Sequence, residues 1–156
     1  MPIGTIPLAE DWGDVKLWDG LRWGYDTLCG KSIDEVTLLV KDHPIEFAEG
    51  IVRSPPRVFY YYMHAFVLFL LSPGSRGHAD SANVFLHTLR TRLVRENASS
   101  MNAADDAEFI VNVPELWGAA ADVAKRQHFY SAPAKIYGSF QELAQDIATM
   151  VQPYGA

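Results

Sequence analysis

Histidine supplies the side chains of this chain that are best suited to metal or acid–base chemistry. None of the histidines stands in a His-x-x-x-His or Glu-x-x-His relation, the spacings that place two ligands on one face of a helix. A metal site needs three or four ligands, and the pattern does not supply them. We therefore predict no metal and no cofactor. The five histidines are His43, His64, His78, His87 and His128.

The sequence predicts, as an alternative, a pocket beside a long apolar segment that contains Tyr60-Tyr61-Tyr62 and His64. The next predicted helix carries His87 and Arg90, and an antiparallel pairing of the two helices would bring these side chains near His64. This gives an alternative function, an enzyme or a small-ligand binder with a pocket between helices. The simpler interpretation of His64 is a core imidazole hydrogen-bonded to a neighbour. The residues of the alternative pocket are Tyr61, His64, His87 and Arg90.

The sequence contains little that supports nucleophilic catalysis. No Gly-x-Ser-x-Gly elbow occurs, and Cys29 is the single cysteine. Adjacent carboxylates such as Asp34-Glu35 stand at predicted helix starts, where they interact favourably with the helix dipole. No catalytic residue is therefore predicted, and the sequence favours a binding protein over an enzyme.

The N-terminal segment combines tryptophan with aspartate. On a continuous helix, Trp12 and Trp23 would share a face and Trp18 would point away, so at least one indole is expected to reach the surface. An exposed Trp among carboxylates is a suitable anchor for a protein partner. The predicted partner-binding residues are Asp11, Asp14, Trp18, Asp19 and Trp23.

Charge is unevenly distributed along the chain, whose formal net charge is −6. Residues 1–50 carry ten acids against four bases, whereas residues 51–100 carry six arginines against two acids. The acidic total disfavours general nucleic-acid binding, which needs a basic surface. An acidic surface suits a basic partner because opposite charges accelerate encounter.

These observations predict a non-enzymatic module that docks one protein partner. Bacterial immunity proteins and antitoxin-like inhibitors share this general profile of small size and acidity, which is an analogy and not a sequence match. A homo-oligomer is a further alternative, given the many aromatic residues. The N-terminal residues lack the basic and apolar regions of a secretory signal, and one cysteine allows no intrachain disulfide, so we expect a cytoplasmic protein without membrane contact.

The element that must position these residues is a helix over about 55–72. Pro55 and Pro56 suit its first turn, Ser54 is a possible cap, and Ser72-Pro73-Gly74 ends it. From Val58 to Leu71 it carries no charge, so other helices must surround it. At about 1.5 Å per residue it is too short to span a bilayer of about 30 Å.

Other helix signals surround this segment. Ser32-Ile33-Asp34-Glu35 is a capping box for a helix to about Lys41, and Ser139 opens a second box for a last helix to about Val151. No alternating strand pattern appears. The sequence therefore predicts an all-α single domain over residues 1–156, an orthogonal or irregular bundle of six to eight helices around the central one. The remaining predicted helices span about 8–18, 44–52, 81–96 (capped by Asp80 or Ser81), 102–111 and 115–128.

Overall fold

The computed structural model describes residues 4–13, 19–98 and 114–151, and these residues form a helical bundle without strands. This confirms the all-α prediction, with eight α-helices in the described ranges. Two short 3-10 turns, at Ala9–Trp12 and Pro73–Ser75, accompany them. The helices are α1 (Asp19–Leu28), α2 (Ile33–Asp42), α3 (Pro44–Ile51), α4 (Pro56–Leu70), α5 (Ala79–Ala98), α6 (Pro114–Lys125), α7 (Ala134–Tyr137) and α8 (Phe140–Val151).

Helix α4 is the centre of the bundle, as its uniform apolarity predicts. Eleven of its fifteen residues are buried, and it contacts α2, α3, α5 and α6. Aromatic rings connect α4 to its neighbours. The ring centroid of Phe66 lies 5.4 Å from that of Phe47 in α3 and 5.8 Å from that of Phe85 in α5. The Phe47 and Phe66 rings pack edge to face, which adds to the free energy gained by burying each ring. None of the helices in the described ranges has the length and apolarity that a membrane crossing requires.

Local signals define several helix ends. The Ser32 hydroxyl accepts from the Glu35 N–H at 3.3 Å and the Glu35 carboxylate accepts from the Ser32 N–H at 3.1 Å. This confirms the first capping box. The hydrogen bonds from Ser32 lower the pKa of Glu35. In α8, the Glu142 N–H donates to the Ser139 hydroxyl at 3.2 Å, as the second box predicts.

The predicted caps of α4 (Ser54) and α5 (Asp80 or Ser81) were wrong, because a different bond occupies each of the three candidate side chains. The Ser54 hydroxyl donates to the Ile51 carbonyl at 2.6 Å, and Pro55 occupies the N-cap position of α4. Helix α5 begins at Ala79, so Asp80 lies in its first turn and accepts from the Tyr137 hydroxyl. The Ser81 hydroxyl donates to Val40 of α2 at 2.9 Å and thereby joins two helices.

The N-terminal segment is not the single helix that we predicted over about 8–18. A 3-10 turn at Ala9–Trp12 ends at Gly13, whose φ of 69° lies in the left-handed region. Residues 14–18 lie outside the described ranges, as does the predicted helix over 102–111. Helix α6 also ends earlier than predicted, at Lys125.

Helices α1 and α3 pack at two glycines. A Cβ placed on Gly24 would lie 2.1 Å from the carbonyl oxygen of Gly50, and one placed on Gly50 would lie 2.9 Å from the Cα of Gly24. Backbones can approach this closely only where neither residue has a side chain. Gly24 has low helix propensity, but it sets the distance between α1 and α3.

Candidate functional site

The predicted partner-binding surface is only partly within the described ranges. Asp14 and Trp18 lie outside them, and Asp19 begins α1 without a described side chain. The Asp11 carboxylate accepts from the Leu8 N–H at 2.8 Å and lies 3.6 Å from the Arg57 guanidinium. Asp11 thus holds the 3-10 turn against the start of α4. Its carboxylate already has partners within the fold, which is a structural role.

The two described tryptophans of this segment do not share a face, which corrects the prediction. Trp12 is fully buried, with its ring 5.9 Å from Tyr25 and 6.1 Å from Tyr62. Trp23 is 36% exposed, and a Cβ on Gly50 would lie 2.9 Å from its ring. Because Tyr25 and Trp23 are two residues apart on α1, they point to nearly opposite sides of it. Of these two described indoles, Trp23 is therefore the one that reaches the surface.

Next to Trp23, helix α3 presents an exposed strip. Helical geometry puts Glu46 beside Gly50, followed around the helix by Glu49 and then Ile45. All three of these side chains are exposed, and Ile45 is 54% exposed. An apolar side chain thus lies next to two carboxylates on the outer side of α3.

Beyond Ile45 lies a groove between α3 and α5 with a volume of about 240 Å³. Most of its lining is apolar or uncharged, Glu49 provides a carboxylate at its edge, and His87 stands on the α5 side. Burial lowers the pKa of His87, and the nearby Arg90 guanidinium lowers it further. The groove residues are Ile45, Ala48, Glu49, Val52, Asn83, Val84, His87, Thr88 and Thr91.

Acidic side chains dominate the part of the molecule that contains α3. Among residues 4–13 and 21–52, whose side chains are described, eight carboxylates face three Lys or Arg side chains. Seven of these eight carboxylates are exposed. A surface of this composition attracts positively charged partners through its summed field. The carboxylates are Glu10, Asp11, Asp26, Asp34, Glu35, Asp42, Glu46 and Glu49.

The alternative pocket beside α4 is not assembled as we predicted. Tyr61 packs against Tyr62, with ring centroids 4.9 Å apart, next to the start of α2. Arg90 lies 3.8 Å from the Asp146 carboxylate of α8. His87 lines the groove beside α3, whereas His64 is buried near Glu115 of α6. His87 and Arg90 thus lie near each other on α5, whereas the charged neighbours of Tyr61 belong to α2 and the charged neighbour of His64 belongs to α6.

His64 is a core imidazole, as the simpler interpretation holds. Its Nδ1 lies 2.6 Å from the Tyr60 carbonyl, which can only accept, so Nδ1 carries the proton. Its buried Nε2 has no hydrogen-bond partner in the described structure. Burial lowers the pKa of His64, while the bond to Tyr60 and the Glu115 carboxylate oppose that effect. The ring is therefore held neutral, and protonating it is costly.

Two buried polar residues, Arg92 and Tyr62, link helices together, and the sequence analysis did not single out Arg92. The Arg92 guanidinium donates to the carbonyls of Val52 at 2.8 Å and Ser54 at 2.6 Å. The Tyr62 hydroxyl lies 2.6 Å from the Leu28 carbonyl and 2.8 Å from that of Lys31. The run of three tyrosines predicts that at least one phenol finds a hydrogen-bond partner, and Tyr62 does so. Arg92 stands in ordinary helical surroundings, so no local signal could have identified its role.

No group of three potential metal-ligating side chains occurs within the described ranges. Comparison with known proteins adds no identification: no family model, no curated protein and no solved structure matches this chain.

Proposed function

We propose that this chain is a non-enzymatic protein-binding module that holds a basic, amphipathic helix of another protein in the groove between α3 and α5. The observation that carries this proposal is the combination of a largely apolar groove with an acidic edge. Ile45 is exposed at one side of the groove and Glu49 lines it. Amphipathic helices dock in this way, with apolar residues in the groove and charged residues over its rim.

The dimensions of the groove fit a short helical contact. Helix α3 has eight residues, which corresponds to a length of about 12 Å at about 1.5 Å per residue. A docked helix rises about 5.4 Å per turn, so about two turns would lie along α3. This length accommodates anchor residues in an i, i+3, i+4 pattern.

Charge defines the partner more closely. The acidic surface of residues 4–13 and 21–52 favours Lys and Arg on the partner and disfavours an acidic segment. Much of this preference acts on the rate of association, and salt screens it. A basic toxin held by a small acidic inhibitor in the cytoplasm is one arrangement of this kind. Seen from the groove, Trp23 lies beyond Glu46 on the outer side of α3, and it extends the proposed interface. The roles of Asp14, Trp18 and Asp19 stay predictions.

The test is a ¹⁵N–¹H NMR titration with two synthetic 18-residue amphipathic helices, one built from Leu and Lys and the other from Leu and Glu. With the Leu/Lys peptide we expect shifts confined to residues 45–52, residues 83–91 and the indole of Trp23. The affinity should fall as salt is added. The Leu/Glu peptide should cause no saturable shift. Equal binding of both peptides would contradict the proposal.

A matched pair of variants separates the groove from the general acidity of the protein. Ile45→Asp and Leu38→Asp introduce the same charge at exposed apolar positions, and Leu38 of α2 is 68% exposed and lies outside the groove lining. We expect Ile45→Asp to weaken binding of the Leu/Lys peptide relative to Leu38→Asp. Glu49→Lys should weaken it further and reduce its salt dependence. If the two Asp variants bound the Leu/Lys peptide with equal affinity, the groove would not be the binding site.

A further inference from the structure

A second concave site lies on a different part of the molecule, where the turn after α6 meets the loop before α5. This cavity has a volume of about 700 Å³, within the range of small-molecule sites. Arg76, His128 and Ser131 contribute polar side chains to its wall, and Ala132 and Pro133 contribute apolar surface. The wall thus combines cationic and hydroxyl donors with an apolar area.

Two guanidinium groups share one aromatic ring at this cavity. The Cζ of Arg76 lies 4.7 Å from the centroid of the Phe129 ring, and that of Arg126 lies 4.3 Å from it. Within the described residues neither guanidinium has a carboxylate within 4.0 Å. An arginine held by a ring keeps its N–H groups available for an anion. Positive charge is therefore concentrated here in a chain of formal net charge −6.

The cavity wall is fixed by hydrogen bonds to the rest of the fold. The Gly77 N–H donates to the Phe129 carbonyl at 3.1 Å, which ties the Arg76 loop to the turn. The Tyr130 hydroxyl donates to the Leu70 carbonyl at 2.7 Å, at the end of α4. The Gln127 side chain bonds to the backbone of Ala132, Gly138 and Phe140. The backbone that carries the donors of the wall is thus held in place before any ligand arrives.

Ser131 is the second unusual feature of this wall. Its φ of 58° is the one positive φ at a non-glycine residue of the described ranges. The Ser131 N–H donates to the His128 carbonyl and the Ala132 N–H to the Gln127 carbonyl, the bond pattern of a Schellman turn. Glycine is the usual residue at this position of the turn. Here the position carries an exposed hydroxyl beside the cavity.

From this arrangement we propose that the cavity binds a small molecule bearing a phosphate group. The guanidinium of Arg76, the imidazole of His128 and the hydroxyl of Ser131 provide donors for several oxygens of one phosphate, and Arg126 adds charge from across the Phe129 ring. Arginine recognises phosphate through paired hydrogen bonds. The apolar surface of Ala132 and Pro133 faces the organic part of the ligand. This site is independent of the groove between α3 and α5.

The first experiment titrates the intact chain with inorganic phosphate and then with phenyl phosphate at constant ionic strength, followed by ¹⁵N–¹H NMR. We expect saturable shifts at residues 76–78 and 127–134, and tighter binding of phenyl phosphate because its ring covers the apolar wall. Shifts that do not saturate, or that spread over other basic residues, would overturn the site. A phenyl phosphate affinity no greater than that of inorganic phosphate would overturn the assignment of an organic phosphate.

Variants identify the donors. Arg76→Gln removes one charged donor and should weaken phenyl phosphate binding about tenfold or more, since hydrogen bonds to charged groups contribute about 1.5–3 kcal/mol. Arg76→Lys keeps the charge without the planar fork and should lose less. Arg22→Gln is the matched control, because Arg22 is exposed and paired with Asp26 in α1. Thermal melting checks that each variant folds. An Arg76→Gln variant that folds and binds as tightly as the control would overturn the proposal.

Discussion

The contact between Gly24 and Gly50 makes a quantitative prediction for the variant Gly24→Ala. The added Cβ would lie 2.1 Å from the Gly50 carbonyl oxygen and 2.7 Å from its carbon. Carbon–oxygen contacts of about 3.3 Å are normal, so α1 and α3 must separate by about 1 Å. Overpacking of this kind costs about 1–3 kcal/mol, and the obstructing atoms are backbone, which places the cost near the upper value.

Helix propensity acts in the opposite direction in the same variant. Replacing a helical Gly by Ala stabilises a helix by about 1 kcal/mol. The expected net change in the free energy of unfolding of Gly24→Ala is therefore a loss of about 2 kcal/mol. For a domain of this size a change of 1 kcal/mol shifts the melting temperature by about 2–4 °C. We thus expect a melting temperature lower by about 4–8 °C.

Urea denaturation and thermal melting followed by circular dichroism provide the assay, with Gly118→Ala as the control. Gly118 lies in α6, and a Cβ added there would meet no atom within 4 Å. This control gains helix propensity without overpacking and should be more stable than the parent by up to about 1 kcal/mol. The reasoning would be refuted if Gly24→Ala were as stable as the parent, or if both variants lost stability equally.

Three further predictions concern buried or strained polar groups. Burial lowers the pKa of His64 in the folded state, so between that lowered pKa and the unfolded value of about 6.5 the unfolded state binds more protons and stability rises with pH. In His64→Leu this pH dependence of the free energy of unfolding should weaken, and an unchanged slope would contradict the prediction. Tyr62→Phe removes the single O–H that two backbone carbonyls share. We expect a loss of about 1–2 kcal/mol in urea denaturation, whereas no loss would show that water replaces the hydroxyl. Ser131 adopts a left-handed backbone conformation that is unfavourable for a residue with a Cβ. Ser131→Gly should therefore raise the free energy of unfolding by about 1 kcal/mol, and it should weaken phenyl phosphate binding because the hydroxyl is lost. A less stable Ser131→Gly variant would show that the backbone of Ser131 is not strained.

Local sequence signals predicted the elements that depend on neighbouring residues. The capping box at Ser32 and the proline at the start of α3 each work within one turn of helix, and both are present. The charge-free segment of α4 required burial on every side, since no face of it could favour water. In α5, five apolar residues have the spacing that places them on one face of a helix, and all five are buried: Ala82, Phe85, Leu86, Leu89 and Leu93.

Local sequence signals did not predict the partner of a side chain where that partner lies far away in the chain. Ser81 has the right type and position for a helix cap, yet its hydroxyl donates to Val40 of α2. His64 and His87 lie on helices that do pack together, but their rings face α6 and α3 respectively. A small error in the rotation of a helix changes which neighbour a side chain meets, and sequence spacing does not determine that rotation.

The sequence by itself determined the helical class, the central position of α4 and the acidity of the N-terminal part, because each depends on composition or on residues within a few positions. Only the tertiary structure decided that Trp12 is buried while Trp23 reaches the surface, that Gly24 meets Gly50, and that Arg76 and Arg126 share the ring of Phe129. The physical reason is that these relations join residues far apart in the chain. Close packing of whole helices, rather than any local preference, fixes which of them touch.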